Sequence, residues 1–229
     1  MISKFLFRLA KTAFMGKIVG AGFAHFSFLI PVKKVLETDS ILAFHHPKPA
    51  WANHLVIVPK KSIATLLALG QPDNIKYVPA IFFTARDIIA KLGFKDTGYV
   101  FCANGGPRQE VGQVHFHLFT GQRLVSELSE TAKRGLILQG KTVAAFHHPE
   151  PNWETHIVVV PTGKTAPLCS LAASDGSVIE ETLSMLRTLD EQFQLVKRGY
   201  TLVVQEMSGS EQRQFLCHVV AGKRTKKIA

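Results

Sequence analysis

The chain has 229 residues and a mass of 25.3 kDa, enough to bury roughly 70–75% of its unfolded surface in one large domain or two small ones, which excludes a mini-protein held by staples. Hydrophobic residues make up 46% and charged residues 19%, so a packed core is expected and wholesale disorder is excluded. The excess of 27 Lys and Arg over 17 Asp and Glu, +10 in all, suits a polyanionic partner: nucleic acid, an anionic membrane surface or a phosphorylated small molecule.

Both ends are basic. Residues 1–34 carry Lys4, Arg8, Lys11, Lys17, Lys33 and Lys34 without an acid, and Lys223, Arg224, Lys226 and Lys227 close the sequence. Ile2, Phe5, Leu6, Leu9 and Ala13 fall on one helical face opposite Lys4, Arg8 and Lys11. That is the pattern of an amphipathic basic helix, expected to dock on its own protein, with an anionic membrane as the alternative. Weak contact with membrane or nucleic acid is therefore expected only through the termini. No apolar run approaches the ~20 residues of a membrane span. Cys102, Cys169 and Cys217 are odd in number and form no CxxC pair, which argues for a reducing, cytoplasmic setting rather than a disulfide framework or thiolate zinc site.

From residue 41 onward the chain is written twice. Ile41-Leu-Ala-Phe-His-His-Pro-Lys-Pro-Ala-Trp-Ala-Asn-His54-Leu-Val-Ile-Val-Pro59 returns as Val143-Ala-Ala-Phe-His-His-Pro-Glu-Pro-Asn-Trp-Glu-Thr-His156-Ile-Val-Val-Val-Pro161, offset by 102 residues. Gly98 to Asn104 returns as Gly199 to Gln205, and Gln113-Val-His-Phe-His117 as Gln214-Phe-Leu-Cys-His218, now offset by 101. Each copy predicts strands near 41–45 and 54–59 (143–146, 156–160), a helix over 74–92 (178–196), and strands over 98–103 and 113–120 (199–204, 214–221). The class is α+β with mainly antiparallel strands. The expected organisation is an N-terminal segment 1–34, a first unit 35–126, a connection 127–140 and a second unit 141–229, with the units packed as an intramolecular pseudo-dimer that protects their sheet edges. Further oligomerisation is left open.

Alternation along a strand places Gln113, His115 and His117 on one wall and Val114, Phe116 and Leu118 on the other. Three polar side chains on one face call for a pocket, because each unsatisfied buried polar group costs roughly 1–3 kcal/mol. The loop Asn104-Gly-Gly-Pro-Arg-Gln-Glu-Val-Gly112 just upstream offers close backbone approach at its glycines and amides that could meet an anion.

These blocks, with His54-Leu-Val-Ile-Val-Pro before them, resemble the histidine triad (HIT) superfamily of nucleotide hydrolases and transferases over about residues 35–125. The diverged second copy resembles the tandem, unequal halves of galactose-1-phosphate uridylyltransferases. The resemblance implies that His115 attacks the α-phosphorus of a nucleotide to form a nucleotidyl-histidine intermediate, with its other ring nitrogen held by the carbonyl of Gln113. It further implies that His117 and His54 hold phosphate and assist the leaving group, and that Asn104 and the backbone amides of Gln109, Glu110 and Val111 bind phosphoryl oxygens. Phe44, His45 and His46 match the segment that meets base and ribose. The implied substrates are a nucleotide phosphoramidate, a dinucleoside polyphosphate or a related phosphoanhydride. Two positions depart from the pattern: Gln113 replaces the first triad histidine, and His46 stands where relatives commonly carry an acid. Arg108 and Arg123 are candidates to meet additional phosphate. No cofactor is expected. His115, His117 and His54 could in principle hold zinc, but a metal would occupy the attacking nitrogen. In the second copy Leu216 replaces the nucleophile and Gln205 replaces Asn104, so one competent site per chain is expected, with His156 and His218 as remnants and His147 and His148 shaping a turn. The alternative reading is a catalytically weak module that binds or senses nucleotides.

Overall fold

The computed structural model describes residues 32–128, 135–208 and 214–226. The expected amphipathic helix and most of the basic N-terminal segment lie outside them, as does Lys227. Each sequence copy forms strands and one long helix: β1 (Lys34–Glu37), β2 (Ile41–His45), β3 (Ala52–Pro59), α1 (Tyr77–Leu92), β4 (Gly98–Gly105) and β5 (Phe116–Thr120), then β6 (Leu136–Gln139), β7 (Val143–His147), β8 (Trp153–Pro161), α2 (Gly176–Phe193), β9 (Tyr200–Met207) and β10 (Cys217–Arg224).

All ten strands join one antiparallel sheet in the order β1-β2-β3-β5-β4-β9-β10-β8-β7-β6. The second half repeats the first in reverse, so the units meet edge to edge through β4 and β9. Eight residue pairs, from Gly98 with Met207 to Gly105 with Tyr200, close that seam. The α+β pseudo-dimer read from the sequence is thus realised by continuing one sheet across the unit boundary, which removes both inner edges.

Period-two alternation sorts the side chains. Leu55, Ile57, Phe101, Phe116, Leu118, Leu202 and Val219 point to one face, where Ile81, Phe82 and Ile88 of α1 and Ile179, Leu183 and Leu186 of α2 cover them in a single core spanning both units. Fully burying a side chain of this kind contributes about 1.5–3 kcal/mol. A one-residue slip of any central strand would forfeit several such contributions, so register is tightly specified. α1 ends where Gly93 takes a left-handed φ of 66° and caps the carbonyls of Ile89 and Ala90. The opposite sheet face carries Val100, Cys102, Phe119, Val203 and Val220 together with the histidines.

Three boundaries differ from the sequence reading. β1 and β6 are four-residue outer strands, too short to show alternation. β6 falls inside the stretch 127–140 expected to be a plain connection. β5 begins at Phe116, three residues later than expected, because the Val114 N–H bonds the Ile63 carbonyl at 2.7 Å.

Candidate active site

The open face of the first unit gathers His46, His54, His115 and His117. His54 and His117 arrive from neighbouring strands β3 and β5, His46 from the turn after β2, and His115 from the residue preceding β5. The His46 and His54 rings stack at 4.2 Å with 3° between planes, and the His115 and His117 rings meet edge to face at 4.9 Å. Trp51 lies edge-on to His54 at 4.8 Å and stacked on Phe119 at 4.0 Å.

Hydrogen bonding fixes which nitrogens carry protons. His115 Nδ1 is 2.8 Å from the Gln113 carbonyl. A carbonyl can only accept, so Nδ1 carries the hydrogen and the lone pair sits on Nε2. The backbone N–H of Ala50 donates to His54 Nδ1 at 3.3 Å, which leaves His54 Nε2 to donate to His117 Nδ1 at 2.9 Å. Neutral His117 therefore carries its hydrogen on Nε2.

Burial keeps all these rings uncharged. It lowers His115, against the opposing influence of the Gln113 bond and nearby Glu110. Burial, then the neighbouring His115, His54 and His46, pushes His117 down to about 2. Burial with His46 and His115 takes His54 to about 4, and burial also lowers His46. At neutral pH the cluster is a set of neutral donors and acceptors.

Asn104 is placed by the other unit. Arg108 donates to Thr201 Oγ1 at 3.0 Å, and Thr201 Oγ1 donates to Asn104 Oδ1 at 2.8 Å. This chain of bonds fixes the amide with Oδ1 as its acceptor end, so Nδ2 is its donor end. The glycines after it answer to packing: a Cβ on Gly105 would meet the Tyr200 ring, and one on Gly106, whose φ is 62°, would meet the Val196 carbonyl.

The remaining expected residues divide. Gln113 is not on the histidine wall: it is 1% exposed, and its amide bonds Ile63 N, Pro59 O and Lys61 O at 3.0–3.2 Å. It braces the segment after β3, while its carbonyl serves His115. The Gln109 side chain bonds the carbonyls of Ala64 and Val111, tying down the loop that contains Glu110 and Val111. Phe44 packs with Leu42, Val56 and Val58 on the open face. His45 ends β2, and its ring is not among those stacked at the site. Arg123 pairs with Glu127 at 3.0 Å. Sequence reasoning missed Trp51, Trp153 and Thr201. The tryptophans were visible as the duplicated Pro-x-Trp spacing, whereas Thr201 carried no signal.

The second unit reproduces most of the cluster without a counterpart of His115. His148 stacks on His156 at 4.0 Å, and His156 Nε2 lies 2.9 Å from His218 Nδ1. His148 thus does more than shape a turn. Leu216 occupies the place of His115 and packs against Leu128. The chain leaving β5 lies across this face: Gln205 accepts from the N–H groups of Leu124 and Val125 and donates to the Val125 carbonyl at 2.7 Å.

His46, His54 and His117, like His148, His156 and His218, offer ring nitrogens within 4.8 Å of one another. The donor set fits a metal poorly. His54 Nε2 and His117 Nδ1 already bond each other, and Nδ1 of His46 and of His54 accepts a backbone N–H, so a metal would have to break the central bond of the cluster. The three cysteines are free thiols, and among the described residues no helix is long and apolar enough to cross a membrane.

The fold and site together define a two-unit histidine triad protein in which one cluster carries His115 and the other has Leu216 at the matching position. The sequence matches the HIT domain family over residues 28–124. A 13.2 kDa HIT-like protein of Azospirillum brasilense is 32% identical over 97 residues, covering 42% of this chain and 80% of that protein. A HIT-like protein of Helicobacter pylori is 31% identical over 96 residues, 41% and 88% respectively. The chain belongs to the histidine triad family. Over both units the fold is shared with an ADP-glucose phosphorylase of Arabidopsis thaliana, at 9% identity and a TM-score of 0.61, covering 91% of this chain and 81% of that one. A GalT-like protein of the same plant gives 10%, 0.60, 92% and 84%.

Proposed function

We propose that the chain is a nucleotide hydrolase or nucleotidyltransferase that works through a covalent nucleotidyl-histidine at His115. The observation that carries this reading is the 2.8 Å contact of His115 Nδ1 with the Gln113 carbonyl, which puts an unprotonated Nε2 on the open face. The uridylyltransferase and the ADP-glucose phosphorylase among its structural neighbours are consistent with nucleotide chemistry.

In the first step the His115 Nε2–Pα bond forms and the bond from Pα to the leaving group breaks, the electron pair departing with the leaving group. The positive charge that develops on the ring is held by the Gln113 carbonyl. Asn104 Nδ2 and the amides after Gln109 donate to the phosphoryl oxygens as their charge grows. His117 Nε2–H donates a hydrogen bond on the leaving-group side. In the second step water, or another acceptor, attacks Pα, the N–P bond breaks with its electron pair returning to Nε2, and the proton of an attacking water passes to solvent.

The test is intact-mass spectrometry of the chain quenched during turnover of adenosine and guanosine substrates. An added nucleotidyl mass that disappears in His115→Ala supports the reading. Nucleotide binding by calorimetry with neither adduct nor turnover would establish a binding module instead.

A further inference from the structure

Residues 124–128, part of the stretch that leaves β5, lie as a strap across the second unit, and their backbone takes the place in front of Gln205. The Leu124 carbonyl is the focus of three donors: Arg224 Nη2 at 2.8 Å, Asn152 Nδ2 at 3.4 Å and Trp153 Nε1 at 3.4 Å. A guanidinium and two neutral N–H groups converging on one oxygen are surroundings suited to an anionic oxygen, and a neutral carbonyl uses them only in part.

The strap also fits loosely. Both 3.4 Å bonds exceed the usual span of roughly 2.7–3.2 Å, and the Ser126 N–H likewise reaches Asn152 Oδ1 at 3.4 Å. His148 is 3% exposed and stacked on His156. Its Nδ1 accepts the Glu150 N–H at 3.0 Å, so Nε2 carries the hydrogen. The strap backbone at Ser126 and Glu127 lies beside this ring, yet closes no bond with the buried Nε2–H, which has no hydrogen-bond partner. An unanswered buried donor weakens the closed arrangement and favours a ligand that brings an acceptor. Glu127, the strap's own acid, pairs with Arg123 of the same stretch.

We propose that the second histidine face is a phosphate-binding site held shut by its own chain. Residues 124–128 are a built-in occupant, which a phosphate group, free or carried by a nucleoside, displaces to take the donors of Arg224, Asn152, Gln205 and His148. The site binds without reacting, because the Leu216 side chain has no lone pair to attack with. It needs nothing of His115 and stands apart from the reaction proposed above. Leu124 also lines the cavity that holds His117 and Asn104, so moving the strap reshapes one wall of the first site.

A ligand that binds only the open form raises the open fraction. Amide exchange at Leu124 and Val125, followed by NMR in the unsubstituted chain, therefore reports displacement. AMP and inorganic phosphate are expected to speed exchange at both amides by at least about fivefold at saturation, and adenosine to leave it unchanged. Acceleration by only one of the two anions supports the site and tells whether its phosphate comes free or on a nucleoside. His148→Phe keeps a ring on His156 but removes the donor, and is expected to abolish the acceleration. In Leu124→Pro, which cannot donate to Gln205, calorimetry is expected to find one more equivalent of the accelerating anion than in the unsubstituted chain. Exchange that neither anion changes, that adenosine speeds equally, or whose acceleration survives His148→Phe overturns the proposal, as does an unchanged stoichiometry in a folded Leu124→Pro chain. Failure of the His115 chemistry leaves all of these outcomes as they are.

Discussion

Cys102 on β4 sits directly across from Val203 on β9, and the two occupy the same position in the duplicated sequence. The pseudo-twofold axis therefore passes between them, and every other pair along the seam joins residues that are not counterparts. Asn104 faces Thr201, whereas Gln205, the counterpart of Asn104, faces Val100. A hydroxyl orients the first amide, and a valine can orient nothing. Gln205 turns instead to the backbone of Leu124 and Val125. One strand pair thus gives the two corresponding amides different partners.

Replacing Thr201 with Val keeps the shape and removes the link from Arg108 to Asn104. The net value of such a bond is about 0.5–1.5 kcal/mol. kcat/KM is expected to fall roughly three- to tenfold, with far-UV dichroism unchanged. Steady-state kinetics that match the unsubstituted chain would remove Thr201 from the site.

Gly106→Ala puts a Cβ against the Val196 carbonyl at a φ of 62°. Strain of this kind costs on the order of 1–3 kcal/mol, and for a chain of this size each kcal/mol lowers Tm by about 2–4 °C. Calorimetry showing an unchanged Tm would contradict the close approach of the two units at this loop.

The buried histidines set an acid limit. His54 is held at about 4 and His156 at about 3, each chiefly by burial, below the ordinary 6.5. Between those values the unfolded chain binds protons that the folded chain does not, so stability is full above pH 6.5 and declines as pH falls toward 4. Thermal melts at pH 7.5, 6, 5 and 4 should show Tm falling over that range. His54→Gln should weaken the dependence, and a Tm flat from pH 7 to pH 4 would contradict it.

Restoring a histidine at position 216 should not restore chemistry to the second unit. In the double variant His115→Ala, Leu216→His, the backbone of Leu124 and Val125 still occupies Gln205. Intact-mass measurement is expected to show no nucleotidyl adduct, and an adduct there would mean that the second face is open to substrate.

The duplicated Phe-His-His-Pro block and the His-x-His strand made the pseudo-dimer, its antiparallel sheet and the gathering of His54, His115 and His117 legible, because these rest on local alternation and spacing. β1 and β6 escaped because four outer residues carry too few turns of the pattern. Gln113 was misplaced because strict alternation was extended beyond the point where β5 begins, into a segment whose backbone bonds Ile63. Thr201, Trp153 and the covering of the second cluster by residues 124–128 depend on which surfaces meet across β4 and β9, and nothing in the spacing of either copy encodes that meeting.

Because the β4–β9 seam lies within one polypeptide, dilution cannot part the halves. A symmetric pair of separate subunits must keep every substitution in both places, so losing a nucleophile in one loses it in the other. Here Leu216 stands in one half and His115 in the other, and the second half lends Thr201 to hold Asn104 of the first.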